Sequence, residues 1–205
     1  MRRYAFIDVM NTANSTEKML GFVVDWAKLA DYLINKKSCS EVFFYTGIEN
    51  GDIETANEFD ALSRVDGCIV RTKPTFAYKN SDKKVARACT HCGLKNAFTI
   101  GMGYTKKSNC DVELGVDAIE KSGPETQLVI FSADGDFEYL IRRALEKGVE
   151  KVYIYSYAGK NTVAGVSVSR FSTKLRKLIA EQSMKVIYTS LKDIENLIKK
   201  ELPLT

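Results

Sequence analysis

The 205-residue sequence contains one histidine, three prolines and five cysteines, and no apolar run approaches the roughly 18 residues that span a bilayer. Five is an odd and sparse count for a disulfide-stapled scaffold. Behind Arg2 and Arg3 there is neither an apolar segment of about 7–15 residues nor a small-residue cleavage site, so the start does not read as a signal peptide. The expected compartment is the cytoplasm, with no membrane partner. There Cys39, Cys68, Cys89, Cys92 and Cys110 stay reduced, and packing, metal binding or reactivity are their open roles. A large excess of one charge is also missing. Thirty Lys and Arg face 26 Asp and Glu, a net of +4, and with 45% hydrophobic positions this excludes a disordered chain. No Gly-x-Ser-x-Gly elbow and no Gly-Lys-Ser/Thr loop occur, which argues against a Ser-His-Asp hydrolase and a P-loop ATPase. The length suits a single domain over 1–205.

Six short runs rich in β-branched and aromatic residues, at 4–9, 41–45, 67–71, 128–131, 152–155 and 185–188, suit buried strands. Apolar residues at three- and four-residue spacing predict helices over 23–35, 53–65, 112–121, 137–147, 170–181 and 191–200. Gly148 suits a helix end, and Ser190 suits a cap on the last helix. Strand and helix alternate, which predicts right-handed crossovers and an α/β fold with a mainly parallel sheet covered on both faces.

Residues 71–110 break the alternation. They hold nine Lys and Arg against Asp82 alone, a net of +8 that leaves −4 for the rest of the chain. The segment reads as a long basic, cysteine-containing excursion from the sheet.

In open α/β sheets ligands bind beyond the carboxyl ends of the strands. The first strand delivers Asp8 and then Asn11. The strand at 128–131 delivers Ser132-Ala133-Asp134-Gly135-Asp136, and Asp111 and Asp117 flank the opening of the helix before it. Converging aspartates repel by roughly 4 kcal/mol per pair at about 4 Å and an effective dielectric near 20, so a site built from them needs a proton or a cation. Hard oxygen donors without a neighbouring histidine suit magnesium or manganese, and so metal-assisted phosphoryl transfer. Blander roles compete. Asp134, Asp136 and Asp111 suit helix N-termini, Asn11 suits a turn, and Asp117, six residues or about 240° beyond Asp111, suits either a supporting position or solvated surface. Asp8, directly after an apolar strand, has few such alternatives.

Together, Phe6-Ile7-Asp8-Val9-Met10-Asn11, the stretch from Lys107 to Asp117, and Val129 to Phe137 resemble the NYN domains of the PIN-like nuclease superfamily, including the LabA-like branch. The resemblance covers roughly residues 1–160. It implies a doubly wound Rossmann-like fold and a magnesium-dependent ribonuclease, with Asp8, Asp111, Asp134 and Asp136 at the metal and Asn11, Asp117 and Ser132 as supporting polar groups. Val9 and Ala133 depart from the family pattern, standing where a small residue and a glycine are common.

A carboxylate site repels a polyanion, so a nuclease needs cations nearby. Lys73, Lys83, Lys84, Arg87, Lys106 and Lys107 are the candidate RNA contacts, and Phe76, Tyr78, Phe98 and Tyr104 are candidate stacking platforms. The bland alternative is a solvated loop face. Cys89-Thr90-His91-Cys92 is half of a zinc knuckle, and a closed site would need Cys110 or Cys68 to join Cys89, His91 and Cys92; ordinary reduced thiols and a redox pair are the other readings. The functional alternatives are a non-catalytic RNA- or nucleotide-binding module and, less favoured because Met10 stands where a second aspartate is usual, a phosphatase with Asp8 as nucleophile. The oligomeric state is open, a homodimer included.

Overall fold

A computed structural model describes residues 1–163 and 166–201, with the backbone alone at 106, 107, 162, 163 and 166. Six parallel strands form the central sheet: β1 (Arg2–Asp8), β2 (Glu41–Ile48), β3 (Cys68–Pro74), β8 (Thr126–Phe131), β9 (Lys151–Ser156) and β12 (Val186–Ser190). Their order across the sheet is β12-β9-β8-β1-β2-β3. Phe6 of β1 lies opposite Phe43 on one side and Ile130 on the other.

Both faces of these strands are buried, which explains why they read as continuous apolar runs. Alternate residues separate into two cores. Ala5, Ile7, Val42, Phe44, Val129 and Phe131 face one way. They meet α1 (Val9–Ser15), α2 (Trp26–Asp31), α3 (Ile53–Ser63) and α7 (Glu195–Ile198) through Val9, Trp26, Leu29, Phe59 and Ile198. Trp26 packs on Phe44 and Phe59 with ring centroids 6.4 and 6.1 Å apart. Tyr4, Phe6, Phe43, Leu128 and Ile130 face the opposite way, toward α4 (Asp111–Glu120), α5 (Phe137–Glu146) and α6 (Thr173–Glu181). The fold is α/β and doubly wound, with helices on both faces.

Several boundaries differ from the sequence expectation for local reasons. The first strand ends at Asp8, one residue early, because the Asp8 carboxylate accepts from Asn11 N and caps a helix that begins at Val9. The helix expected over 23–35 starts at Trp26 behind an Asp25 cap and widens into a π-turn at Tyr32–Lys36. The last helix is a 3-10 turn, Leu191–Ile194, followed by α7, with Ser190 capping as expected. Gly148 takes φ +95°, the left-handed turn that closes α5.

The basic excursion is a two-part antiparallel ribbon. Its near part pairs β4 (Phe76–Lys79) with β7 (Tyr104–Lys107), and its far part pairs β5 (Lys83–Ala88) with β6 (Lys95–Ile100). A second small antiparallel pair, β10 (Asn161–Val163) with β11 (Val166–Val168), lies between β9 and α6 in the chain. No helix among the described residues is long and apolar enough to cross a membrane.

Candidate active site

β1 and β8 are neighbours whose onward connections diverge, α1 and α2 over one face and α5 over the other. This switch point opens a crevice at the carboxyl ends of the strands, and Asp8 stands in it. Its Oδ1 accepts from Asn11 N at 3.0 Å and its Oδ2 from Ser132 Oγ at 3.2 Å. Ser132 Oγ also accepts from Asp134 N at 3.1 Å, and Asn11 Oδ1 accepts from Ala133 N at 2.8 Å. Asn11 and Ser132 therefore lace the end of β1 to the loop after β8, which fixes both Asp8 and the backbone of Asp134.

Asp111 enters from the first turn of α4, where its N donates to Asn109 Oδ1 at 2.7 Å. Burial, reinforced by the charges of Asp111 and Asp134, pushes the Asp8 carboxyl up to about 6 against the lowering pull of Asn11 N and Ser132. Burial also raises Asp111, opposed by Asn109 and reinforced by Asp134, Asp136 and Glu113. The carboxylates thus share one field. They do not close into a cage: among the described residues no three His, Cys, Asp or Glu side chains are grouped so as to hold a metal ion.

Between Asp8 and Asp111 lies a hollow of about 30 Å³, completed by Met10, Tyr45, Thr46, Gly47, Ser108, Cys110 and Leu114. That is room for one water or one ion. Ser108 Oγ is buried at its wall, beside the Cys110 thiol. Gly47 is what permits this approach, since a Cβ there would stand 2.1 Å from both Cβ and Oγ of Ser108. Gly47→Ala is expected to push Ser108 and the start of α4 outward and to destabilise the fold by about 1–3 kcal/mol, the usual cost of overpacking. Thermal melting checks this, and an unchanged Tm would mean that the loop carrying Ser108 yields without strain.

The remaining expected residues divide. Asp136 is at the rim, 78% exposed, with Lys174 Nζ 3.5 Å away and its own N donating to Asp134 Oδ1. Asp117 is not in the lining of the hollow; it accepts from Tyr45 Oη at 2.8 Å and Arg71 Nε at 3.2 Å, and so ties α4 to β2 and β3. Lys73 bridges to Glu113 at 2.7 Å and to Asn109 O at 3.0 Å, holding the entry to α4. Lys83, Lys84 and Arg87 are exposed on the far ribbon. Lys106 and Lys107 pair through their backbones with Ala77 and Phe76, and their side chains lie outside the described residues. Cys89, His91 and Cys92 stand exposed at the ribbon tip, whereas Cys68 and Cys110 are buried in the body, Cys110 with its Sγ 3.7 Å from Thr46 O. These residues are not gathered. Ser108 and Asn109 are not legible as site residues in the sequence; an asparagine two residues before a helix acid is the one signal it offers.

A groove of about 830 Å³ runs from Lys73, Ser108 and Asn109 along Phe76, Tyr78 and Thr105 of the near ribbon. It joins the mouth of the acidic crevice to an aromatic surface.

Among curated proteins no significant match is found. The crystal structure of a protein of unknown function from Vibrio parahaemolyticus superposes with a TM-score of 0.58 at 19% identity, covering 94% of this chain and 93% of that one, and so shares its fold. A mutant phosphofructokinase-2 from Escherichia coli reaches a TM-score of 0.40 at 12% identity over 99% of this chain and 65% of its own, a likeness that bears on neither fold nor function. The family description "NYN domain" matches residues 3–176, a span that takes in Asp8, Asn11, Asp111, Asp134 and the whole ribbon. The chain, with its PIN-like sheet and its acids at the switch point, belongs to the NYN domain family.

Proposed function

We propose that the chain is a magnesium- or manganese-dependent endoribonuclease, acting as one domain in the cytoplasm and hydrolysing RNA phosphodiester bonds at the Asp8 crevice. The observation that carries the reading is the hollow between Asp8 and Asp111, of a size for one ion and set in the field of three carboxylates. Hard oxygen donors suit magnesium, which keeps several waters and needs only one or two carboxylates with the substrate phosphate. Asp8 and Asp111, which flank the hollow, would hold the ion, with the charges of Asp134 and Asp136 beside them adding to its attraction. When bound, it would neutralise phosphate charge and make a water more nucleophilic at neutral pH.

The chain's own groups do the positioning. Asn11 and Ser132 hold the Asp8 carboxylate by both oxygens, and Asn109 holds Asp111 at the helix start. The groove past Lys73 leads a strand of RNA from the ribbon to the crevice. The wide spacing of the acids supports a second reading, in which the same crevice and ribbon bind RNA without cutting it.

Labelled single-stranded and structured RNAs incubated with magnesium, manganese or EDTA decide between them. Cutting that needs the metal and disappears in Asp134→Asn, with RNA affinity largely retained, is expected. Binding without cutting in every metal would establish the second reading instead.

A further inference from the structure

The far ribbon carries a feature that the acidic crevice does not use. Cys89 and Cys92 sit three positions apart in the turn between β5 and β6, both exposed. The turn is closed by Cys89 N donating to Leu94 O at 2.8 Å and Gly93 N to Cys89 O at 2.9 Å, with Gly93 at φ +73°. Inside it the backbone N–H groups of Cys92 and His91 and the Cys92 side chain all bond to the Cys89 sulfur. Amides aimed at a sulfur stabilise its thiolate, and a thiolate is the form that binds a soft metal. The tip is organised as one half of a tetrahedral thiolate site.

The other half is absent from the same chain. Cys39, Cys68 and Cys110 are buried in the body, and His91 is the single histidine of the sequence. Four-coordinate structural zinc needs two more ligands. A second copy supplies them by symmetry, because a two-fold axis through the ion presents the same pair twice.

Two further features of the tip suit that occupant. Zinc in four thiolates leaves two negative charges in excess, and Arg87 and Lys95 beside the turn, doubled by the axis, offset them. Leu94, inside the cysteine turn, is 64% exposed and gives a second copy an apolar side chain to cover where the tips meet.

We infer that Cys89 and Cys92 of two chains together hold one zinc ion, joining two molecules ribbon tip to ribbon tip. Each thiol gives up its proton on binding, so zinc uptake releases protons and no electron transfer is involved. The inference is independent of whether the crevice cuts RNA.

The test is titration of the reduced full chain with zinc in excess magnesium, which occupies the carboxylates. Bound zinc is counted with a chelating indicator, and mass is followed by light scattering. One zinc for every two chains, with a monomer becoming a dimer, is expected, and cobalt in place of zinc should give the intense visible bands of tetrahedral thiolate coordination. Cys89→Ser and Cys92→Ser, both at an exposed turn, should abolish uptake and dimer together with an unchanged far-UV spectrum, whereas His91→Ala should leave both intact. One zinc per monomer, a dimer that persists in EDTA, loss of the ion in His91→Ala, or no zinc retained would each overturn it.

Discussion

Asp8→Asn is expected to abolish RNA cleavage and, in metal-free buffer, to make the protein more stable at neutral pH. The two effects have one cause. The Asp8 carboxyl is raised from 3.8 to about 6, chiefly by burial and further by Asp111 and Asp134. In the unfolded chain this group loses its proton near the ordinary value, so between the two values the folded state binds more protons than the unfolded one. Stability therefore falls as pH rises through that window, by an amount on the order of 3 kcal/mol, and is fully lost to this group above about pH 6. An asparagine keeps an oxygen to accept from Asn11 N and carries no charge to desolvate. In EDTA at pH 7.5 the variant should melt several degrees above the parent, since about 1 kcal/mol moves Tm by roughly 2–4 °C for 150–250 residues. At pH 4, where the parent carboxyl is protonated in the fold, the gap should close. Equal melting at both values would show that Asp8 is solvated and would remove the main electrostatic argument for a cation there. Cleavage should drop at least a thousandfold, the loss of roughly 4 kcal/mol in the transition state.

The acids could be read from the sequence because each follows an apolar strand or opens a helix, positions that topology sends to one end of the sheet. Their roles were less legible. Asp134 and Asp136 differ by two residues, but the first faces the crevice and the second turns to Lys174, a contact made by α6 from far along the chain. Asp117 is claimed by Tyr45 and Arg71, on strands that the local sequence around Asp117 does not reveal. The strands of the sheet were legible because burial on both faces leaves unbroken apolar runs. Helix α1 was not, because Val9-Met10-Asn11-Thr12-Ala13-Asn14-Ser15 sets only Met10 and Ala13 among five poorer helix formers and depends on the Asp8 cap. The ribbon was hidden for the opposite reason to the sheet. Much of both its faces is exposed, so cations and aromatics share each face and no clean period-two hydrophobic pattern survives.

That exposure underlies the second large effect, on RNA affinity. Phe76 and Tyr78 lie on the same face of β4 and are 57 and 56% exposed, so they support no core. Two residues along a strand advance about 6.8 Å, close to twice the roughly 3.4 Å rise of stacked bases, which leaves room for one unpaired base between the rings. Both rings line the groove that opens at Ser108 and Asn109, so a base held there belongs to the strand entering the crevice. Phe76→Ala with Tyr78→Ala should therefore weaken binding of unstructured RNA by about 5- to 150-fold, at roughly 1–3 kcal/mol for the one stacked base. Duplex RNA, whose bases are already stacked and paired, should bind the variant as it binds the parent. Removing the charges of Lys83, Lys84 and Arg87 should act differently. It should flatten the salt dependence by about 0.7 in log–log slope for each phosphate that is no longer neutralised, with the preference for single strands unchanged. Fluorescence anisotropy across a salt series separates the two. If the alanine pair leaves single-strand affinity untouched while the charge variant abolishes it, the ribbon is an electrostatic tether and the rings have no part in choosing the substrate.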